Sequence, residues 1–184
     1  MNYKINGKIY VIGEPILRTI GSPITDFSSK LSDLLNEMYK IMKTNEGIGI
    51  AAQQLGLAIR CCVIDISEYN NIQNDFCMHN DKRVAPTSIM PLYVCNPKIV
   101  KIKGECVARE GCLSIPDFGY DVKRFESIEV EFQNSKGEAQ KIECNGILAR
   151  CMQHEFDHLE GKLFIDRLSP KGQKKFKRFL KNKE

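Results

Sequence analysis

A chain of 184 residues with 42% hydrophobic and 27% charged residues has the length of about one domain and the composition of an ordinary folded protein. That excludes disordered and fibrous classes. No apolar run approaches the ~20 residues of a membrane span, and the start, MNYKINGKIYVIGEP, lacks the basic-then-apolar order of a secretory signal. The expected place of work is the cytoplasm, where eight cysteines read as buried thiols or metal ligands and not as a disulfide framework. The net charge of +4 is uneven: residues 169–184 carry seven Lys/Arg against Glu184, which leaves 20 basic and 22 acidic residues elsewhere. The whole chain is expected to form one domain, 1–184, with 67–91 as an inserted surface loop and 169–184 as a basic tail.

In chain order, residues 8–12 (KIYVI) predict a short strand. Leu31, Leu34, Leu35, Met38, Ile41 and Met42 then recur at helical spacing, with Ser28 or Ser29 as the cap and Asn45 to Gly47 as the stop. The next stretch, GIGIAAQQ (47–54), puts two glycines and two alanines where something approaches the backbone closely, and its Gln54 amide could donate to a ligand. Residues 59–66 predict a strand in which Cys61 and Cys62 face opposite ways. A long polar stretch, 67–91, reads as an inserted surface loop in which His79 is solvated. Residues 92–104 read as strand, turn and strand, broken at Asn96-Pro97.

EGCLSIP (110–116) sets Cys112 between a glycine and a strand-like segment, with approachable backbone N–H groups. SIEVEFQ (127–133) and EAQKIEC (138–144) alternate on either side of a glycine turn and predict a hairpin. Asn145 is the expected cap of the helix that follows. That helix carries His154-Glu155-Phe156-Asp157-His158, an H-E-x-x-H string. Histidines four apart share one helix face and can hold one metal ion, and Glu155 is placed to take a proton from water at that ion. Cys112 reads as the third ligand, and three protein ligands leave a position open for chemistry. Ile147 and Cys151, on roughly the face of His154, are expected to line an apolar pocket. In the basic tail, Phe176, Phe179 and Leu180 form the apolar stripe of a C-terminal helix whose other face is either a solvated helix end or a patch that could meet ribosomal RNA.

GIGIAAQQ, EGCLSIP and QHEFDH, in this order and spacing, resemble the three signature motifs of peptide deformylases, and the resemblance extends from about Val11 to Pro170. It implies an α+β fold with antiparallel β-sheets packed around a central metal-binding helix, an N-terminal helix and a C-terminal helix. It implies hydrolytic removal of the formyl group from the N-formylmethionine of newly made polypeptides. Residue by residue it implies Cys112, His154 and His158 as metal ligands and Glu155 as general base. Gln54 and the backbone N–H of Leu113 would hold the oxyanion. Ile48, Gly49, Glu110, Gly111, Ile147 and Cys151 would border the substrate, and Arg124 would support Glu110. The implied cofactor is one divalent ion, Fe²⁺ in the cell, with Zn²⁺, Ni²⁺ or Co²⁺ accommodated. The implied partners are formylmethionyl nascent chains and, through the tail, the ribosome, with no membrane and no sequence-specific nucleic acid. H-E-x-x-H by itself would also suit a zinc protease, but such enzymes commonly take a further ligand downstream, and no histidine follows His158. A binding module with a structural metal is the other alternative.

Overall fold

The computed structural model describes residues 3–69, 72 and 75–182. Among the described residues, nine strands and three α-helices make an α+β fold. In chain order they are α1 (Ser29–Thr44), β1 (Gly49–Ala51), β2 (Cys61–Ile64), β3 (Cys77–His79), β4 (Lys82–Arg83), β5 (Leu92–Lys103), β6 (Cys106–Cys112), β7 (Ile115–Arg124), β8 (Ser127–Gln133), β9 (Ala139–Asn145), α2 (Gly146–Leu159) and α3 (Pro170–Lys181). Seven strands form one sheet in the order β1-β2-β5-β8-β9-β3-β4, and β6 and β7 form a separate hairpin. All pairings within the two sheets are antiparallel. Among the described residues no helix is long and apolar enough to cross a membrane.

The two faces of the large sheet are covered by different helices. Alternation along β2 sends Cys61 and Val63 to one face, where they pack with Leu31, Leu35, Met38 and Met42 of α1. Cys62 and Ile64 point to the other face and pack with Leu148, Met152 and Phe156 of α2. Both faces of β2 are therefore dry, which is why all four of its residues are buried. On α1 the buried positions keep the helical spacing read from the sequence. Its stop is made by Glu46, at φ +55°, with the Gly47 N–H returning to the Met42 carbonyl at 2.9 Å. Ser28 holds the N-cap position without a side-chain cap bond.

A third apolar cluster lies under α3. Phe176 and Phe179 stand 4.9 and 5.0 Å from Phe118 of β7, centroid to centroid, so the predicted stripe docks on the β6/β7 hairpin. Ser169 caps α3 by accepting from Gly172 N–H. The described lysines and arginines of this helix are exposed.

Several expectations are corrected. Residues 8–12 form no strand; Tyr10 N–H donates to the Gln54 carbonyl and Ile12 N–H to the Ser114 carbonyl, both at 2.8 Å, without a continuous ladder, and Ile12 already belongs to a turn. The 67–91 stretch is not merely a loop: β3 adds to the sheet beside β9, with Cys77 opposite Cys144, and β4 pairs with β3. Asn96-Pro97 does not break the strand. Asn96, at φ +52°, makes a bulge in a continuous β5, and its amide accepts from Ile24 N–H and donates to the Ile24 carbonyl, both at 2.8 Å. Asn145 holds the N-cap position of α2, but its side chain accepts from Phe76 N–H, and Asp75 meets the helix by accepting from Ile147 N–H at 3.2 Å. Gly146 is needed there: its φ is +62°, and a Cβ would lie 2.2 Å from the Asp75 carboxylate.

Candidate metal centre and catalytic cavity

Cys112 ends β6 immediately before the two-residue turn into β7, and His154 and His158 are one helical turn apart on α2. The hairpin packs over the helix so that the three donor atoms lie within 4.8 Å of one another. Cys112 Sγ stands 3.4 Å from His158 Nε2. Burial and the neighbouring His154 hold His158 well below its usual pKa, so its imidazole is neutral and has a lone pair to give. His154 is also buried, which would lower it, yet hydrogen bonds to Cys112 and Glu110 raise it well above the usual value. One thiolate and two imidazoles suit a divalent transition ion, and the residues present fit one.

Each histidine is held differently. His154 Nδ1 lies 3.0 Å from Glu110 Oε2, which directs Nε2 to the centre. Glu110 is itself gripped: Arg124 donates to both of its oxygens at 2.9 Å, and Arg150 donates to Oε1 at 2.7 Å. Burial would raise Glu110, but the bonds from Arg124 and His154 keep its carboxyl well below the usual carboxylate range. Arg124 continues to Asp157, whose carboxylate also takes the Arg167 guanidinium in a forked pair. His158 Nδ1, in contrast, is buried with no hydrogen-bond partner among the described residues.

Glu155 sits on α2 between the two ligands and is 3% exposed. Its Oε2 is buried with no partner among the described residues, and burial pushes the carboxyl up to about 7. Gly49 makes room for it, since a Cβ there would stand 2.3 Å from Glu155 Oε1 and 2.8 Å from Cys151 Sγ. The φ of Gly49 is not in the left-handed region, so its smallness serves space alone. Gln54 is fixed by accepting from Ala51 N–H at 2.9 Å, which turns its Nε2 toward Cys112 Sγ at 3.6 Å and Ser114 Oγ at 3.2 Å.

These groups face a cavity of about 500 Å³. Ile48, Gly49, Gln54, Glu110, Gly111, Cys112, Leu113, Ile147, Cys151, His154 and Glu155 all line it. His158 lies behind them at 1% exposure, and Arg124 stands off the cavity behind Glu110. Cys151 is a poor fourth ligand: its thiol donates to the Ile48 carbonyl at 3.6 Å, and burial pushes its pKa well above the ordinary thiol value. The sequence reading missed Arg150, Asp157 and Arg167. Arg150 and Asp157 lie four before and three after His154, on its side of the helix, and a helical-face count would have found them.

The comparisons with known proteins agree with this geometry. The polypeptide deformylase family profile matches residues 7–174. A peptide deformylase of Helicobacter pylori is 40% identical over 167 residues, covering 90% of this chain and 88% of its own. One of Opitutus terrae is 41% identical, covering 89% and 85%. The crystal structure of the Thermotoga maritima peptide deformylase superposes with a TM-score of 0.74 at 37% identity, over 89% of this chain and 97% of that one. A plant peptide deformylase superposes with a TM-score of 0.83 at 29% identity, over 100% and 92%. The chain belongs to the polypeptide deformylase family, metal-dependent hydrolases that remove the N-formyl group from nascent peptides.

Proposed function

We propose that the chain works as one catalytic domain in the cytoplasm, with Cys112, His154 and His158 holding a single ferrous ion and Glu155 moving the protons. The observation that carries this is the closed set of three donors within 4.8 Å, beside a buried carboxylate with an unpartnered oxygen, at the wall of one cavity. A divalent ion in that set supplies Lewis acidity to water and to the formyl oxygen. Zn²⁺, Ni²⁺ and Co²⁺ satisfy the same donors, since ligand type alone does not separate them.

Glu155 takes the proton of the attacking water and returns it to the leaving amine. A carboxyl near 7 is suited to both directions of transfer at neutral pH. Gln54 Nε2 and the Leu113 N–H donate to the oxygen that gains charge, and loss of such a donor typically lowers rate by ~10²–10³. Ile48, Ile147 and Cys151 receive the methionine side chain. Gly49 and Gly111 let the peptide backbone come close, and Glu110, backed by Arg124, keeps His154 turned to the ion. The exposed lysines and arginines of α3 face outward, and they are proposed to touch ribosomal RNA.

The test is formate release from formyl-Met-Ala-Ser by protein purified without oxygen and loaded with Fe²⁺, beside acetyl-Met-Ala-Ser and an internal peptide. Formate from the first alone is expected. Cleavage of the internal peptide without formate would assign the site to a protease. For the tail, removal of 170–184 is expected to weaken co-sedimentation with ribosomes, and unchanged co-sedimentation would reject that contact.

A further inference from the structure

Beyond the reacting centre, the cavity continues. A second cavity of about 610 Å³ adjoins the catalytic one and shares Tyr69, Arg109, Ile147 and Arg150 with it. Two arginines thus stand where the cavities meet, and they are in different states. Arg150 is nearly buried and committed to Glu110, and it also donates to Cys106 Sγ at 3.1 Å. Arg109 is exposed, and its side chain makes no hydrogen bond or ion pair among the described residues. Its cross-strand neighbour in the β6/β7 register, Asp121, does not come within ion-pair distance.

The Arg109 guanidinium is nevertheless placed. It lies against Gly119 of β7, where a Cβ would stand 3.2 Å from its Nη2 and 3.3 Å from its Cζ. Gly119 does not sit in the left-handed region; a Cβ there would first meet the Glu110 carbonyl oxygen at 3.0 Å, so the glycine serves the close approach of β6 and β7 as well as the guanidinium, which lies along the wall of the cavity that Gly119 lines. The acids of the second cavity are otherwise engaged: Glu68 pairs with Lys43 at 2.8 Å, and Asp75 accepts from Ile147 N–H.

We propose that Arg109 is a specificity-determining residue that selects substrates with an acidic side chain within two places after the formylmethionine. This rests on the deformylase site read above. With the methionine side chain between Ile48, Ile147 and Cys151, the next two residues of an extended peptide span ~7 Å, and Ile147 itself lines both cavities, so the peptide leaves that pocket beside the wall they share. A guanidinium with no partner of its own favours a carboxylate arriving there, and its distance from the breaking bond puts the effect in KM and not in kcat.

The experiment compares C-terminally amidated formyl-Met-Asp-Ala with formyl-Met-Asn-Ala, and formyl-Met-Ala-Asp with formyl-Met-Ala-Asn. The aspartate and asparagine peptides match in shape, and amidation removes the terminal carboxylate. For at least one pair, the wild-type kcat/KM ratio is expected to favour aspartate by about threefold, the scale of a half-exposed ion pair, through KM. The ratio should fall to about one in Arg109→Met, invert in Arg109→Glu and collapse in 0.5 M salt, where the screening length is only a few ångströms. Equal ratios in wild type and Arg109→Met would overturn the proposal. No formate from either member of a pair would overturn the site reading itself, whereas formate from both at a ratio of one in the wild type overturns only the selection.

Discussion

The two helices that cover the large sheet make an instructive pair. α1 buries only Leu31, Leu34, Leu35, Met38 and Met42, an all-apolar stripe. On α2 every residue from Leu148 to Leu159 is buried, including Arg150, Gln153, His154, Glu155, Asp157 and His158. One face of the sheet is held chiefly by apolar burial, with the Tyr39–Asp65 and Tyr93–Asn36 hydrogen bonds beside it, and the other spends part of its interior on ionisable groups that bind one another. A buried ion pair is a weak source of stability, so the polar set on α2 is explained by geometry it imposes: Glu110 orients His154 and Arg124 orients Glu110. The apolar face supplies stability that the other half draws upon.

That contrast can be broken from either side. Arg124→Met should have the largest structural effect, because the buried Glu110 and Asp157 carboxylates lose their shared partner and keep only Arg150 and Arg167, one arginine each. The loss should cost about 3 kcal/mol, the low end for a broken buried pair, and loss of an outer partner to a ligand typically weakens metal affinity by ~10–100-fold. Denaturant unfolding of the apo-protein and competition with a chelator check the two parts separately. Met38→Ala on α1 should remove about 3 kcal/mol by the same unfolding measurement while leaving metal affinity and turnover of the loaded enzyme unchanged. A fall in metal affinity in Met38→Ala would erase the distinction between the two faces. Asn96→Ala, which removes the amide that pins the β5 bulge to Ile24 and Gln133, should cost about 1–2 kcal/mol. Lys101→Met, which removes the exposed lysine of the Lys101–Glu129 pair, should leave stability nearly unchanged, with any loss smaller still in high salt.

The same contrast explains what the sequence made legible. α1 and the β8–β9 hairpin announced themselves because their apolar positions follow the period of their structure. Cys112, His154, His158, Gln54 and Glu155 were found through motif spacing, and the folded chain does bring them to one cavity or its wall. β6 stayed hidden for a physical reason. Its one buried position is Glu110, so no apolar alternation marks CVAREGC as a strand, and its partner β7 was seen only at its first residues. β3 has three residues and is identified by its ladder with β9, a contact 67 residues away between Cys77 and Cys144 that local pattern cannot reveal. Asn145 was read as a cap from residue type, but Asp75, brought in by the stretch read as loop, is the residue that meets the helix. The arginine–carboxylate chain from Arg167 to Glu110 joins α2, β6, β7 and the turn at Phe164–Arg167, and only tertiary packing assembles it.

The central claim is that Glu155 moves protons at a centre held by other residues. Its most direct test is Glu155→Gln, similar in size and placed against Gly49, with metal content and formate release measured on the same sample. The account predicts one ion per chain, as in the wild type, with formate release lowered by at least ~10²-fold. Full formate release from that metal-loaded variant would contradict it.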